Sequence, residues 1–289
     1  MTSVTKPATK PTRKPTRKST QKSTAKKRAS FWAWLWIGLG ALYFIMPLYS
    51  TFDFSLRAKR DVLSFLAYQR VFDDARFLDT FGYSAQIAVV TIVMSMLLIV
   101  PTSYWVHLRF PKMRPVVEFV TLLPFVVPAI ILVFGLIRIY SQPPFLLTGS
   151  VLTTNFLLVA GYVVLSFPYM YRSVDAGMRA IDVRTLTEAA QSLGAGWPTI
   201  LFRIIFPNLR TSLLSGAFLT FAIVMGEFTL AAFLARPAFG PYMALIGQDR
   251  AYEPSALAIL SFGMTWAAIG VIQRIGRGSP GQAQVGGTH

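Results

Sequence analysis

The chain of 289 residues contains no cysteine, which excludes a disulfide framework and any thiolate metal site. Histidine is nearly absent as well. His107 and His289 stand far apart and away from any His-x-x-x-His or carboxylate arrangement, so no metal-ligand set can be assembled from them. A Gly-x-x-x-x-Gly-Lys-Ser/Thr phosphate loop is missing, and with it the usual cradle for nucleotide phosphates. So is a Gly-x-Ser-x-Gly nucleophile elbow. No catalytic residue and no metal ligand is therefore assigned. Charge is scarce too: Asp, Glu, Lys and Arg make up 14% of the chain, against about 25% in ordinary soluble domains.

What fills the space is apolar. Hydrophobic residues reach 54% and gather in blocks. A spanning helix needs ~20 largely apolar residues, and six segments qualify: 31–51, 81–106, 116–139, 151–172, 209–235 and 255–273. Lys and Arg are distributed unevenly between the connections. Arg109, Lys112 and Arg114 follow the second segment; Arg172, Arg179, Arg184, Arg203 and Arg210 follow the fourth; Arg274 and Arg277 follow the last. The 52–80 connection balances five basic against five acidic residues, and 140–150 carries no charge. The positive-inside rule then places both termini and the 172–209 connection in the cytoplasm, on one side of a multi-pass membrane protein.

Residues 1–30 hold ten basic residues and no acidic one, so most of the formal net charge of +16 lies there. The repeating Lys/Arg, Thr/Ser and Pro of Lys10-Pro-Thr-Arg-Lys-Pro-Thr-Arg-Lys18 predicts a disordered cytoplasmic tail, 1–30, attracted to anionic lipid headgroups. Nucleic acid is not read as a partner, because no folded aromatic or binding surface accompanies the charge.

The most informative stretch is Glu188-Ala-Ala-Gln-Ser-Leu-Gly194, followed after nine residues by Ile204-Ile-Phe-Pro207. Leu186, Ala189, Ala190 and Leu193 recur at i, i+3, i+4 and i+7 and predict one apolar stripe on a short helix. Thr185 and Glu188 have the spacing of a capping box. Gly194 and Gly196 suit a turn, and Pro198 suits the first turn of a second helix, whose apolar face is Ile200, Leu201, Ile204 and Ile205. Taken singly, Glu188 reads equally as a helix cap and Gly194 as a turn glycine. The full spacing says more.

That spacing resembles the signature of permease subunits of bacterial binding-protein-dependent ABC importers: Glu-Ala-Ala, three residues, Gly, nine residues, then Ile-x-Leu-Pro, with Phe206 where Leu is usual. The resemblance covers about 80–273. It implies an all-α integral membrane protein, six transmembrane helices over 31–274 in the type I ABC importer permease (MetI-like) fold, with 275–289 a short cytoplasmic tail. It implies docking of ABC ATPase subunits on the 175–208 loop through Glu188, Ala189, Ala190, Gly194, Ile204 and Pro207. It also implies a second permease subunit, homologous or identical, and an extracytoplasmic substrate-binding protein. ATP and magnesium belong to the partner ATPase, so the chain itself is no enzyme and carries no cofactor. The runs Leu123-Pro-Phe-Val-Val-Pro128, Phe167-Pro-Tyr-Met-Tyr-Arg-Ser173 and Met225-Gly-Glu-Phe228 look most like the second permease of spermidine/putrescine-type systems. Related subgroups handle ferric iron, thiamine, phosphonates or oxyanions. An ion-coupled secondary transporter is the rival class, but it predicts inverted repeats that the sequence does not display.

Within the spans, Pro124 and Pro128 lie four apart and each removes a backbone hydrogen bond; Pro101 and Pro168 are placed to loosen their own helices. An ionisable Glu227 stands in Val224-Met-Gly-Glu-Phe-Thr229. Such a group faces a cavity or a partner. Two readings stand: a substrate path with Glu227, Pro124 and Pro128 along it, or a structural hydrogen bond to Thr229 or a neighbouring helix. Glu118 is read as structural, paired with Arg114.

Overall fold

The computed structural model describes residues 21–59 and 62–276, and every regular element among them is helical. Two compact units divide the chain, Met1–Ser50 and Thr51–His289. The helix α1, Gln21–Ser55, holds the first apolar segment. Of the expected tail, 1–30, residues 1–20 lie outside the described residues and 21–30 belong to α1. No Pro or Gly follows Pro15 before the apolar block, and Ala25-Lys-Lys-Arg-Ala29 is made of strong helix formers.

The second unit is built on three helices: α3 (Ala75–Leu108), α6 (Val151–Ala180) and α10 (Arg210–Gly226). Asp74 starts α3 by accepting the Arg76 amide at 3.1 Å, and Ser150 starts α6 by accepting that of Thr153 at 3.3 Å. Along α3 the buried face carries Ser84, Ala88, Thr91, Ser95 and Ser103, small residues that let neighbouring backbones approach without help from the hydrophobic effect. Ser95 and Ser166 share a hydrogen bond at 2.7 Å in that interior. Where α6 meets α10 the helices touch through Gly177 and Gly216; a Cβ on Gly216 would stand 2.7 Å from Met170 Sδ.

Around this trio lie α2 (Leu66–Asp73), α4 (Arg114–Val126), α5 (Ala129–Tyr140), α7 (Val183–Ser192), α8 (Trp197–Thr199) and α9 (Phe206–Asn208). The short α11 (Thr229–Phe233), α12 (Phe239–Asp249) and α13 (Glu253–Gly276) complete the order. Among the described residues three helices, α1, α3 and α6, are long and apolar enough to cross a membrane, and up to five spans result if each sharply bent pair counts as one. The sixth expected segment, 255–273, is helical within α13, part of which lies outside the described side chains.

Two expected spans are not continuous. The 116–139 segment breaks at Val127–Pro128, where α4 and α5 meet at 99°. The 209–235 segment breaks at Glu227–Phe228. Of Pro101, Pro124, Pro128 and Pro168 only Pro128 sits at a break, whereas α3, α4 and α6 run on through the other three, as α1 does through Pro47. The two short helices that follow the breaks pack on each other: Phe134 and Phe233 have ring centroids 4.9 Å apart, and Val133, Leu230 and Ala231 are buried together. Gly240, at the start of α12, closes against the second break. Its Cβ position is 3.0 Å from the Glu227 carbonyl carbon and 3.1 Å from Phe228 Cα, backbone atoms that cannot swing aside.

Gly240→Ala is therefore expected to destabilise the fold by about 1–3 kcal/mol through overpacking, read as a lower melting temperature in detergent. Gly82→Ala, whose Cβ meets nothing within 4 Å, is the matched control and leaves the melt unchanged.

Candidate functional site

The Glu188–Pro207 stretch folds as a hairpin, α7 followed by the α8–π–α9 arm, with a π turn over Ile200–Ile205. Its first helix is not started by Thr185, as the capping-box spacing predicts. Asp182 occupies the cap: its carboxylate accepts the Thr185 amide at 3.1 Å and the Thr185 hydroxyl at 2.7 Å. Those bonds hold the Asp182 carboxyl below the usual carboxylate range. Glu188, released from capping, takes the Arg184 guanidinium at 2.9 Å on the exposed side, which pushes the Arg184 pKa up.

The buried face of α7 also differs from the expected stripe. Val183, Thr187 and Ala190 point inward, and the Thr187 hydroxyl meets Tyr104 of α3 at 3.2 Å. Leu186 is half-buried, Ala189 exposed and Leu193 89% exposed. Three inward positions suffice to hold so short a helix, and the apolar periodicity spans both sides of it. Its outer edge is thus Leu186, Ala189 and Leu193, beside the Glu188–Arg184 pair.

The end of α7 is a Schellman turn. Gly194 has φ +79°, its amide donates to Gln191 O at 2.9 Å, and the Ala195 amide donates to Ala190 O at 3.0 Å. A Cβ at Gly194 would meet no atom within 4 Å, so the position faces open surface and its constraint is conformational. Pro198 lies in the first turn of the second arm, as its sequence position suggested. Ile200, Leu201 and Ile205 are buried against Ile99, Val100, Tyr104 and Met170, with Ile204 packed at the margin. Trp197 stacks on Trp105 of α3 at 6.1 Å, and the Arg109 guanidinium lies 5.8 Å over the Trp105 ring. Of the six residues singled out, Ala190 is buried and Ile204 half-buried, anchoring the hairpin; Glu188, Ala189, Gly194 and Pro207 face outward.

Beside the hairpin is a cluster that the motifs did not announce. Asp175 of α6 is only 6% exposed, yet Arg114, Arg179 and His107 all converge on it. Arg114 was expected on Glu118; it reaches Asp175 instead at 3.1 Å. A buried carboxylate attracts a guanidinium more strongly than a half-buried one does. The one available signal was the Asp175–Arg179 spacing of four within a span end.

At the second break the Glu227 carboxylate caps α11. Its oxygens accept the Leu230 amide at 3.0 and 2.9 Å, the Ala231 amide at 3.4 Å and the Tyr162 hydroxyl at 3.2 Å. Thr229 is not its partner. Pro128 starts α5, its carbonyl accepting the Ile131 and Leu132 amides at 3.0 and 3.2 Å, and Pro124 lies inside α4. Pro128 and Glu227 thus each begin one of the two short helices that pack together.

More than half of the chain, residues 111–275, matches the family described as the binding-protein-dependent transport system inner membrane component. The chain belongs to this family. A probable ABC transporter permease protein of Sinorhizobium fredii is 34% identical over 39% of this chain and 20% of its own length. The spermidine/putrescine transport system permease protein PotB of Haemophilus influenzae is 26% identical over 54% of this chain and 56% of its own. Other relatives are named for sulfate, molybdenum, ferric and methionine systems. The chain spans about half or less of the length of these first relatives. A crystal structure of a bacterial ABC transporter involved in the import of the acidic polysaccharide alginate matches with a TM-score of 0.67 at 13% identity, over 89% of this chain and 97% of that one. That likeness is one of fold, the ABC importer permease fold.

In this ABC permease, Gly194→Ala keeps open space around the new methyl but carries a left-handed penalty of about 1 kcal/mol, whereas Gly194→Asn tolerates that conformation. Hydrogen exchange at the Ala195 amide should rise about fivefold in the alanine variant and change little in the asparagine one.

Proposed function

We propose that the chain is one half of the translocation path of an ATP-driven importer, and that the hairpin is where a partner ATPase grips it. The observation that carries this is the hairpin's construction: a stiff elbow fixed by two Schellman bonds, an inner face packed on α3 and α6, and an outer edge on which Ala189 and Leu193 are exposed and Leu186 half-buried. Leu193 is the centre of that edge. Such a knob suits a cleft on a soluble domain, which gains apolar area by covering it. The Arg184–Glu188 pair at the rim supplies orientation more than affinity. Nucleotide and magnesium are held by the partner, so chemistry and passage lie on separate subunits. A second permease of the same kind completes the path, and a binding protein delivers solute at the face opposite the hairpin, both termini being cytoplasmic.

For the solute we favour a polyamine-like cation. The supporting points are the three sequence runs resembling spermidine/putrescine systems and the Glu227 carboxylate at a break between helices. A carboxylate in low dielectric attracts an amine far more strongly than one in water does. The relatives' names cover anions and metal ions as well as polyamines, and an oxyanion is the alternative.

Leu193→Glu changes a side chain that is 89% exposed, so insertion and melting should stay as they are. Co-purification of the ATPase should fall at least tenfold, about 1.4 kcal/mol, with uptake falling in step. Full retention of the ATPase by that variant removes the hairpin from the mechanism.

Glu227→Gln retains an oxygen for the Leu230 amide while discarding the charge. Gel filtration should show an intact complex, and uptake of radiolabelled putrescine by proteoliposomes should drop roughly tenfold. Unchanged uptake would assign Glu227 to capping alone, and absence of putrescine uptake by the unsubstituted complex would reject the polyamine while leaving the importer in place.

A further inference from the structure

We propose that Asp175 is a positioning residue for coupling, and that Arg114 exchanges between Asp175 and Glu118 as the hairpin moves, linking α6 to α4. This rests on the importer reading above. Asp175 lies seven residues before Asp182, the cap of α7, so displacement of the hairpin acts first on this end of α6.

Its three cationic partners are not equivalent. Arg179 is four residues on along the same helix; its Nε donates at 2.9 Å and its Nη2 lies closer still, so this contact travels with Asp175. Arg114 comes from the first residue of α4 and uses a single nitrogen, Nη2, shared between the two carboxylate oxygens at 3.2 and 3.1 Å. The two-nitrogen fork of a strong guanidinium–carboxylate pair is not made. Its side chain is also 32% exposed, so water can replace the contact as it opens. His107 of α3 stands 3.3 Å away through Nε2 without hydrogen-bond alignment, while its Nδ1 lies 2.9 Å from the Ser103 carbonyl. The cluster therefore has one limb fixed within α6 and two loose limbs to other helices.

Two further features make an exchange workable. When Arg114 leaves, Arg179 still compensates the buried carboxylate, and the large penalty of an unpaired buried charge is avoided. The departing guanidinium meets Glu118, four residues along α4, a spacing at which a helix brings opposite charges together. Glu118 is half-buried, and its charge acts on Tyr171 and on Arg179, the same arginine that Asp175 holds. The Tyr171 hydroxyl, buried and without a hydrogen-bond partner, faces the same charges. One arginine between two carboxylates on two helices is a two-state element that a shift of α6 can bias.

The test uses the complete complex, permeases and ATPase, in nanodiscs. Nitroxides are attached to Lys112→Cys and Ala180→Cys, both exposed positions in this cysteine-free chain, and distances are read by pulsed electron resonance without nucleotide and with ATP plus orthovanadate. In the otherwise unsubstituted chain the separation should shift by ~2 Å or more on trapping. Arg114→Gln should abolish that shift and Arg114→Lys should restore most of it, a contrast that loss of stability alone does not produce; Arg179→Gln should reduce it, because Arg114 is then held by an otherwise unpaired buried carboxylate. Glu118→Gln should lower the trapped population several-fold, and it carries the test by itself if Arg114→Gln does not assemble. A complex that traps vanadate with the same separation in both states overturns the exchange and leaves the importer reading standing; a wild-type trapped distribution in Glu118→Gln, or a wild-type shift in Arg114→Gln, overturns it too. A chain that assembles with no vanadate-trapping ATPase overturns both.

Discussion

Every backbone amide and carbonyl placed in hydrocarbon must find a partner, and that constraint shapes the permease wherever a helix stops inside the apolar blocks. At the first break the chain ends α4 by the Val127 amide bonding back to Leu123 O, then begins α5 at Pro128, which has no amide to satisfy. At the second, a carboxylate does what proline did at the first: Glu227 accepts the amides that open α11, and the Phe228 carbonyl takes the Ala232 amide at 2.9 Å. With these bonds at the breaks, α5 and α11 can leave the direction of their parent helices and pack on one another. The central α3, α6 and α10 need no such device because none of them stops midway, α3 and α6 running on through Pro101 and Pro168, and small residues make many of their contacts.

Much of this was legible in the sequence, and the reasons are particular. Blocks of apolar residues marked where helices run, since length and hydropathy are properties of the segment alone. Gly194 was legible because a left-handed residue between two amphipathic arms admits few alternatives, and Pro198 because its missing amide fits the start of an arm. The Thr185–Glu188 capping box was not realised because Asp182, three residues earlier, supplies a stronger acceptor and starts the helix sooner. The Leu186–Ala189–Leu193 edge could not be assigned inward or outward from periodicity, which locates a face without saying what lies opposite. Val183–Thr187–Ala190, with a polar residue at its centre, won the inner side because Tyr104 stands there to meet the Thr187 hydroxyl.

Asp175 illustrates the limit more sharply. Its partners come from residues 107, 114 and 179, and nothing local brings the first two to it; the meeting depends on how α3 and α4 approach α6. Arg114 had a plausible partner on its own helix in Glu118, and sequence reasoning naturally chose it. The fold offered a deeper carboxylate, and the arginine now stands between two. Of the few acidic residues in the described part of the chain, Asp175, Glu227 and Glu253 are all tied to named groups, Glu253 to Arg70 at 3.1 Å. Scarcity of charge in this chain goes with close employment of what remains.

The Schellman elbow has a mechanical meaning. A flexible linker between α7 and the second arm would let one arm yield while the other stayed still, and a push on the outer edge would be absorbed as bending. Gly194 instead closes the turn with two hydrogen bonds and no spare residue, while Trp197 and the isoleucines clamp the far arm to α3 and α6. The hairpin thus has the low compliance of a crank: a load applied at Leu193 is delivered to the ends of the membrane helices with little slack to take up first.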